Sequence, residues 1–250
     1  MSGPLDGQVA VVTGGARGLG AAWATALRDA GAVCVTCDIR DGANVHCDVS
    51  KPDDVRAFVD TVVADHGGID IAVANAGTIR VTSPLDPWDK AIDDFEAQIG
   101  TNTRGTYLLG RAVAPIMVER GGGNIIIVST DHVYRPAPRP TGGGAIMDGY
   151  DASKWALRGL AEAWALALSQ HKIRVNELCM GATDAPMLRE FMGDRATPEI
   201  IATWMRPEDL ARVMIELILE GPDGRTRTQI GFWPDLPVVL PPRPASSISS

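Results

Sequence analysis

The apolar run Val9-Ala10-Val11-Val12-Thr13 passes directly into Gly14-Gly15-Ala16-Arg17-Gly18-Leu19-Gly20, and a helical pattern follows. Few backbones accept that order. The run reads as a buried strand, and the glycines permit a tight turn that residues with a Cβ resist. The helix that follows offers unpaired amides and the positive end of its dipole, a ready site for an anion. A glycine-rich turn alone is a weak signal. Placed between a strand and a helix near the N-terminus, it points to the pyrophosphate of a dinucleotide.

The rest of the chain repeats the alternation. Apolar runs at Gln8–Thr13, Val33–Asp38, Ile69–Ala74, Asn124–Ser129, Ile173–Leu178 and Gln229–Phe232 read as strands. Helix-like patterns lie near Gly18–Ala30, Pro52–His66, Ile99–Val118, Tyr150–Gln170 and Pro207–Glu220. Strands alternating with helices predict an α/β fold, a doubly wound parallel sheet covered on both faces. Residues 1–233 are expected to form one dinucleotide-binding domain, and residues 234–250 a Pro/Ser-rich tail, extended and either disordered or laid across a partner subunit.

Composition narrows the function. Lys and Arg total 23 against 31 acidic residues, a net charge of −8, and no basic cluster suggests a nucleic-acid surface. No apolar run approaches a membrane span, and no signal pattern opens the chain, so a cytoplasmic location is expected. The histidines show no metal-ligand spacing, and no metal is expected. Cys34 and Cys37 form a C-x-x-C on a strand, where their side chains face opposite ways and cannot readily share a metal or a disulfide. With Cys47 and Cys179 they read as buried, reduced thiols.

Two further features carry chemistry. Asp38 ends the second predicted strand, where a carboxylate accepts hydrogen bonds from both ribose hydroxyls and repels a 2′-phosphate. Arg17 pulls the other way, but Asp38 lies nearer the 2′ position, so NAD is expected over NADP. Tyr150 and Lys154 stand four residues apart, on one face of any helix that carries them. A phenol has a pKa near ~10, and a lysine charge beside it is expected to pull that value toward the working range.

Together these residues resemble the short-chain dehydrogenase/reductase family in its single-domain form, over about residues 7–232. Thr13, Gly14, Gly18 and Gly20 match its glycine motif. Asp48-Val49 resembles the pair that holds adenine, and Asn75-Ala76-Gly77 resembles the N-N-A-G turn, with Ala74 in place of the first asparagine. Leu19 and Ile39 count with the cofactor-binding residues by position. Asn102 resembles the helix asparagine that supports a proton relay through water, and Tyr150 and Lys154 match the catalytic pair. The resemblance implies hydride exchange at the nicotinamide, with Tyr150 exchanging a proton with the substrate oxygen and Lys154 also binding the nicotinamide ribose.

The departures are specific. The place of the family's serine is held by Thr130, the first choice as hydroxyl donor, with Ser129 beside it as the alternative. Asp131 and His132 follow and read as surface loop residues, with the pocket as the other place either could face. The Pro/Gly loop Arg135–Gly144 lengthens the path to Tyr150, as an insertion that either rims the substrate pocket or is tolerated at the surface. The family's P-G turn appears as Met180-Gly181 and its later threonine as Ala185, which leaves Thr183 to offer a hydroxyl to the carboxamide.

A lid is expected at about residues 182–206, where Met187, Leu188, Phe191, Met192 and Trp204 either cover the substrate or pack as an amphipathic helix. The reading is an NAD-dependent secondary alcohol dehydrogenase for a small hydrophobic alcohol or ketone, cyclic ones included. An NADPH-dependent carbonyl reductase and a non-catalytic dinucleotide sensor are the alternatives. The resemblance also implies a homo-oligomer, tetramer or dimer, paired through the helices at Ile99–Val118 and Tyr150–Gln170.

Overall fold

In a computed structural model, residues 3–134 and 147–243 are described. The Arg135–Gly144 loop lies outside them. Seven strands form one sheet in the order β3-β2-β1-β4-β5-β6-β7, with every pair parallel. They are β1 (Val9–Thr13), β2 (Val33–Asp38), β3 (Val45–His46), β4 (Ile71–Ala74), β5 (Gly123–Thr130), β6 (Ile173–Met180) and β7 (Thr228–Phe232). The order reverses between β1 and β4, so the cleft above that pair is the switch point of the sheet.

Strands β1, β4, β5 and β6 are buried on both faces, so their sequences run continuously apolar instead of alternating. One face packs on α1 (Gly18–Asp29) and α8 (Pro207–Ile218). There Ala10, Val12 and Ile126 meet Trp23, Leu27, Leu210, Val213, Met214 and Leu217. The other face packs on α2 (Pro52–His66), α4 (Gly105–Arg120) and α5 (Asp148–Leu168), through Val11, Ile125, Ile127, Phe58, Leu109 and Leu157. Each fully buried side chain of this kind contributes about 1.5–3 kcal/mol.

Helix boundaries follow local chemistry. Pro52 starts α2 with Asp53 and Asp54 in its first turn, and Gly67 ends it at φ 78. Gly121 ends α4 in the same way at φ 86.

The expected segment Ile99–Val118 proves to be part of a longer unit. α3 (Trp88–Gln98) runs into a π-helical turn, Ile99–Arg104, and then into α4. The sequence reading passes over α3, although Trp88, Ile92 and Phe95 recur there at helical spacing; they stay exposed, and only Gln98 is buried. It misses β3 because two residues are too few to show a period. Strands β5 and β6 run one and two residues beyond their expected C-terminal ends, and β4 starts at Ile71, not Ile69.

Cys34 and Cys37 sit in opposite cores, and all four cysteines are buried and free. As far as Arg243, the tail returns to its own chain. Val238 and Leu240 pack on the α1/α8 core, and the carbonyls of Val238 and Pro241 accept from Arg212 and Arg225. Among the described residues no helix is long and apolar enough to cross a membrane, and no cluster of candidate ligands could hold a metal.

Candidate active site

A cavity of about 790 Å³ opens over the C-terminal ends of the strands. Gly14, Arg17, Gly18, Leu19, Gly20, Asp38, Ile39, Asp48, Val49, Asn75, Ala76, Gly77, Ser129, Thr130, Tyr150, Lys154, Gly181 and Thr183 all line it. Asn102 does not; it is fully buried beneath the floor.

The glycine turn explains itself residue by residue. Gly14 and Gly18 have φ of 66 and 53, a region that side chains with a Cβ rarely adopt. A Cβ on Gly20 would stand 2.0 Å from the Gly14 carbonyl oxygen, so α1 approaches the turn more closely than any other residue permits. α1 begins at Gly18 after extended Arg17, and no side chain caps it. Its first-turn amides therefore remain open to an anion, which fits a pyrophosphate.

At the β2 end of the cavity, Asp38 is buried and its two oxygens accept from the amides of Ala16 and Arg40, at 3.2 and 3.0 Å. The carboxylate is thus fixed beside the turn. Asp48 is held below its ordinary pKa: burial works against the shift, but the hydrogen bonds from Ser50 and the charge of Lys51 outweigh it. Gly105 fits against Val49 so closely that a Cβ there would stand 2.7 Å from a Val49 methyl.

Two expected residues behave differently from a simple lining role. Arg17 is engaged by Glu190 of α6 (Pro186–Met192), which accepts from both ends of the guanidinium. Asn75 spends its side chain on the frame: its amide donates to the carbonyls of Thr13 and Gly14, and its carbonyl accepts from the Trp23 indole at 3.1 Å. Trp23, fully buried, is a supporting residue that the sequence reading did not single out.

At the other end, Lys154 is buried and donates to the Val128 carbonyl at 3.0 Å. Its ammonium lies 5.8 Å from the centroid of the Tyr150 ring. Burial lowers Lys154 to about 8, with Glu177 and Cys179 acting in the opposite sense. The expected depression of the Tyr150 phenol is not found. Burial pushes it well above its ordinary value, a hydrogen bond with Thr130 opposes the rise, and the charges of Asp151 and Asp131 add to it.

Thr130 and Ser129 point to different neighbours. The Thr130 hydroxyl lies close enough to the Tyr150 phenol to oppose its rise, and reaches Asp131 Oδ1 at 3.3 Å. Ser129 lies with Glu177 and Cys179 on the α5 side of the sheet. His132 lines the cavity, bonds Asp151 through Nδ1 at 2.7 Å and stands edge-on to the Tyr150 ring.

Asn102 sits in the π-helical turn, a feature that often marks functional sites. Its amide donates to the Thr78 carbonyl and the Ser153 hydroxyl, and its carbonyl oxygen accepts from the Thr78 amide at 2.7 Å. A Cβ on Gly77 would lie 3.3 Å from Asn102 Oδ1 and 3.8 Å from Lys154 Nζ, which places Gly77 between the two. Thr183 donates to the Gly181 carbonyl. Met187, Leu188, Phe191, Met192 and Trp204 give the cavity an apolar wall.

Comparison with known proteins points to one family. Residues 8–196 match the family model described as short chain dehydrogenase. The chain is 34% identical over 244 residues to dehydrogenase/reductase SDR family member 4 of Bos taurus, covering 87% of this chain and 82% of that protein. It is 36% identical over 200 residues to the 3-alpha-(or 20-beta)-hydroxysteroid dehydrogenase of Mycobacterium bovis, covering 75% and 73%. A short-chain type dehydrogenase/reductase from Mycobacterium marinum superposes with a TM-score of 0.80 at 28% identity, over 92% of this chain and 95% of that one.

Proposed function

The chain belongs to the short-chain dehydrogenase family, and from that premise we propose that it is an NAD-dependent secondary alcohol dehydrogenase acting between a small hydrophobic alcohol and its ketone. Oxidoreductase chemistry with a nicotinamide dinucleotide comes with the family; the choice of NAD, the substrate class and the residue roles are this proposal. The observation that carries it is the meeting of Tyr150, Thr130 and Lys154 at one end of a cavity whose other end is the open N-terminus of α1 beside Asp38.

When bound, the nicotinamide supplies or accepts the hydride. The turn Gly14–Gly20 and the first amides of α1 hold the pyrophosphate, and Asp38 takes the ribose hydroxyls and repels a 2′-phosphate. Tyr150 gives its phenolic proton to the oxygen of a ketone, or takes one from an alcohol, while Thr130 holds the same oxygen in line. Lys154 binds the nicotinamide ribose and brings a positive charge beside the phenol, and Asn102 holds a water that links Lys154 to solvent. Thr183 offers a hydroxyl to the carboxamide beside Gly181.

Residues 182–206 act as the lid of the single catalytic domain, residues 1–233, and their apolar wall selects a hydrophobic substrate, cyclic ones included. The named relative that is a hydroxysteroid dehydrogenase supports that class. Half-exposed Tyr107, Trp155 and Leu166 on α4 and α5 suit burial between copies in a dimer or tetramer, and four buried thiols suit the cytoplasm.

The test is oxidation of a panel of cyclic and acyclic secondary alcohols with NAD and with NADP, by wild type and Tyr150→Phe. Turnover with NAD that is lost in Tyr150→Phe, with NAD binding kept, supports the reading. Faster turnover with NADP would reject the cofactor assignment, and turnover retained by Tyr150→Phe would reject the acid/base role.

A further inference from the structure

Lys154 has a charge problem that its own hydrogen bond does not solve. A lysine buried in an apolar interior without a counter-charge is lowered, in the extreme to a pKa of ~5–6, where it is neutral at physiological pH. Its ammonium donates to the carbonyl of Val128, which carries no charge. The proton-transfer reading needs the ammonium form.

The answering carboxylate comes from the neighbouring strand. In the β5/β6 register Ile127 stands opposite Glu177 and Ser129 opposite Cys179. Alternation along a strand sends Ser129, Glu177 and Cys179 to the face covered by α5, where Leu157 and Ala161 pack against Ile127 and Val175. Lys154 reaches in from that same helix to the residue between Ile127 and Ser129.

Glu177 is fully buried in a setting that makes little sense for a carboxylate with a packing role alone. Its Oε2 accepts from Gln229 at 2.6 Å, and the Gln229 carbonyl accepts from Arg158 Nη1 at 2.7 Å. Its Oε1 is buried with no hydrogen-bond partner. Burial raises its pKa; the hydrogen bond from Gln229 opposes that rise, as do the charges of two cations, Arg158 beyond Gln229 and Lys154.

We propose that Glu177 is the buried counter-ion of Lys154, a positioning residue that keeps the ammonium charged beside Tyr150, with Gln229 and Arg158 holding its carboxylate in place. The proposal rests on the reading of Lys154 as part of the proton-transfer pair, but the counter-ion is measured without turnover. The other titratable groups around the pair are accounted for. Cys179 is pushed well up by burial and stays a neutral thiol. Tyr150 is raised by burial and stays a neutral phenol. Asp131 is not among the charges acting on Lys154, whereas Glu177 is.

The sequence makes the test clean, because its lysines are only Lys51, Lys90, Lys154 and Lys172. Full-length protein labelled with ¹³C at lysine Cε gives one resonance for each, and Lys154→Met identifies the line to follow. In the wild type the Lys154 line is expected to titrate near 8, and a midpoint below about 6 would mean that no counter-ion acts, which overturns the proposal without any variant. In Glu177→Gln the midpoint should fall by at least one unit, a tenfold loss of proton affinity. Glu177→Asp should hold it near the wild-type value, and the other three lines should not move in either variant. An unchanged Lys154 midpoint in Glu177→Gln would also overturn it. Should Glu177→Gln not fold, the wild-type midpoint alone decides. Loss of turnover in Tyr150→Phe is a separate result, so failure of the enzymatic reading and failure of the counter-ion remain distinguishable.

Discussion

Asn102 donates its side-chain amide to the hydroxyl of Ser153 at 2.9 Å, a bond between residues 51 apart in sequence. Ser153 in turn donates to the Tyr150 carbonyl at 2.6 Å. Thr103, next to Asn102, donates to the Ser153 carbonyl. The π-helical turn is thereby tied to the first turns of α5, where Tyr150 and Lys154 stand.

Ser153→Ala removes both hydroxyl bonds at a site with no exposure. Asn102 keeps its bond to Thr78, so the fold should survive at a cost of about 1–3 kcal/mol, read from urea unfolding. Turnover should drop while the KM for NAD hardly changes, because the adenosine end is untouched. A variant with wild-type stability and kcat would show that this tie positions nothing.

The two hydroxyls at the end of β5 predict opposite outcomes. Thr130 lies close to the Tyr150 phenol, whereas Ser129 sits beside Glu177 and Cys179. Thr130→Ala should lower kcat by about 10²-fold, the usual loss for one donor to a developing oxyanion, and Thr130→Ser should restore most of it. Ser129→Ala should stay within a few-fold of wild type. Steady-state kinetics with one alcohol and NAD separates the two, and the reverse ranking would exchange their roles.

Much of this was legible in the sequence because the signals are local. A strand buried on both faces shows as an apolar run, and the glycine turn shows by composition. Tyr150 and Lys154 show by helical spacing. What stayed hidden depends on pairing between distant elements. Nothing in Tyr150-Asp-Ala-Ser-Lys154 says that Ser153 will meet Asn102, and nothing near Trp23 says that its indole will hold Asn75. The π-helical turn preserves the helical pattern around it, so its extra residue is invisible to periodicity. The Tyr150 phenol was expected to be lowered by a charge on its own helix, but burial depends on the whole fold and reversed the direction in this structure.

Cofactor choice turns on Asp38 and on the engagement of Arg17. Asp38 is fixed beside the glycine turn, where the proposal puts the ribose, while Glu190 occupies the one guanidinium in that turn. Asp38→Ala should raise KM for NAD and reduce the preference over NADP by at least tenfold. Adding Glu190→Gln should release Arg17 to a 2′-phosphate and favour NADP further, though modestly, because the ion pair is exposed. The ratio of kcat/KM for the two cofactors is the measurement, and a ratio unmoved by Asp38→Ala would leave that carboxylate a purely structural role.

His132 gives the site a pH dependence of known sign. Its pKa is raised, first by the hydrogen bond it donates to Asp151, against desolvation, with the charges of Asp151 and Asp131 adding to the rise. A histidine raised in the folded state stabilises most below its unfolded pKa of ~6.5, and that contribution disappears as pH rises through the folded value. Asp151→Asn should therefore melt below wild type at pH 5.5, with the gap closing toward pH 8.5. Because the Asp151 side chain is 42% exposed, the gap should correspond to about 1 kcal/mol at most. Thermal melts of both proteins across that range measure it. A gap that widened with pH would mean that the imidazole is held neutral, and His132 would then meet the substrate as an uncharged donor or acceptor.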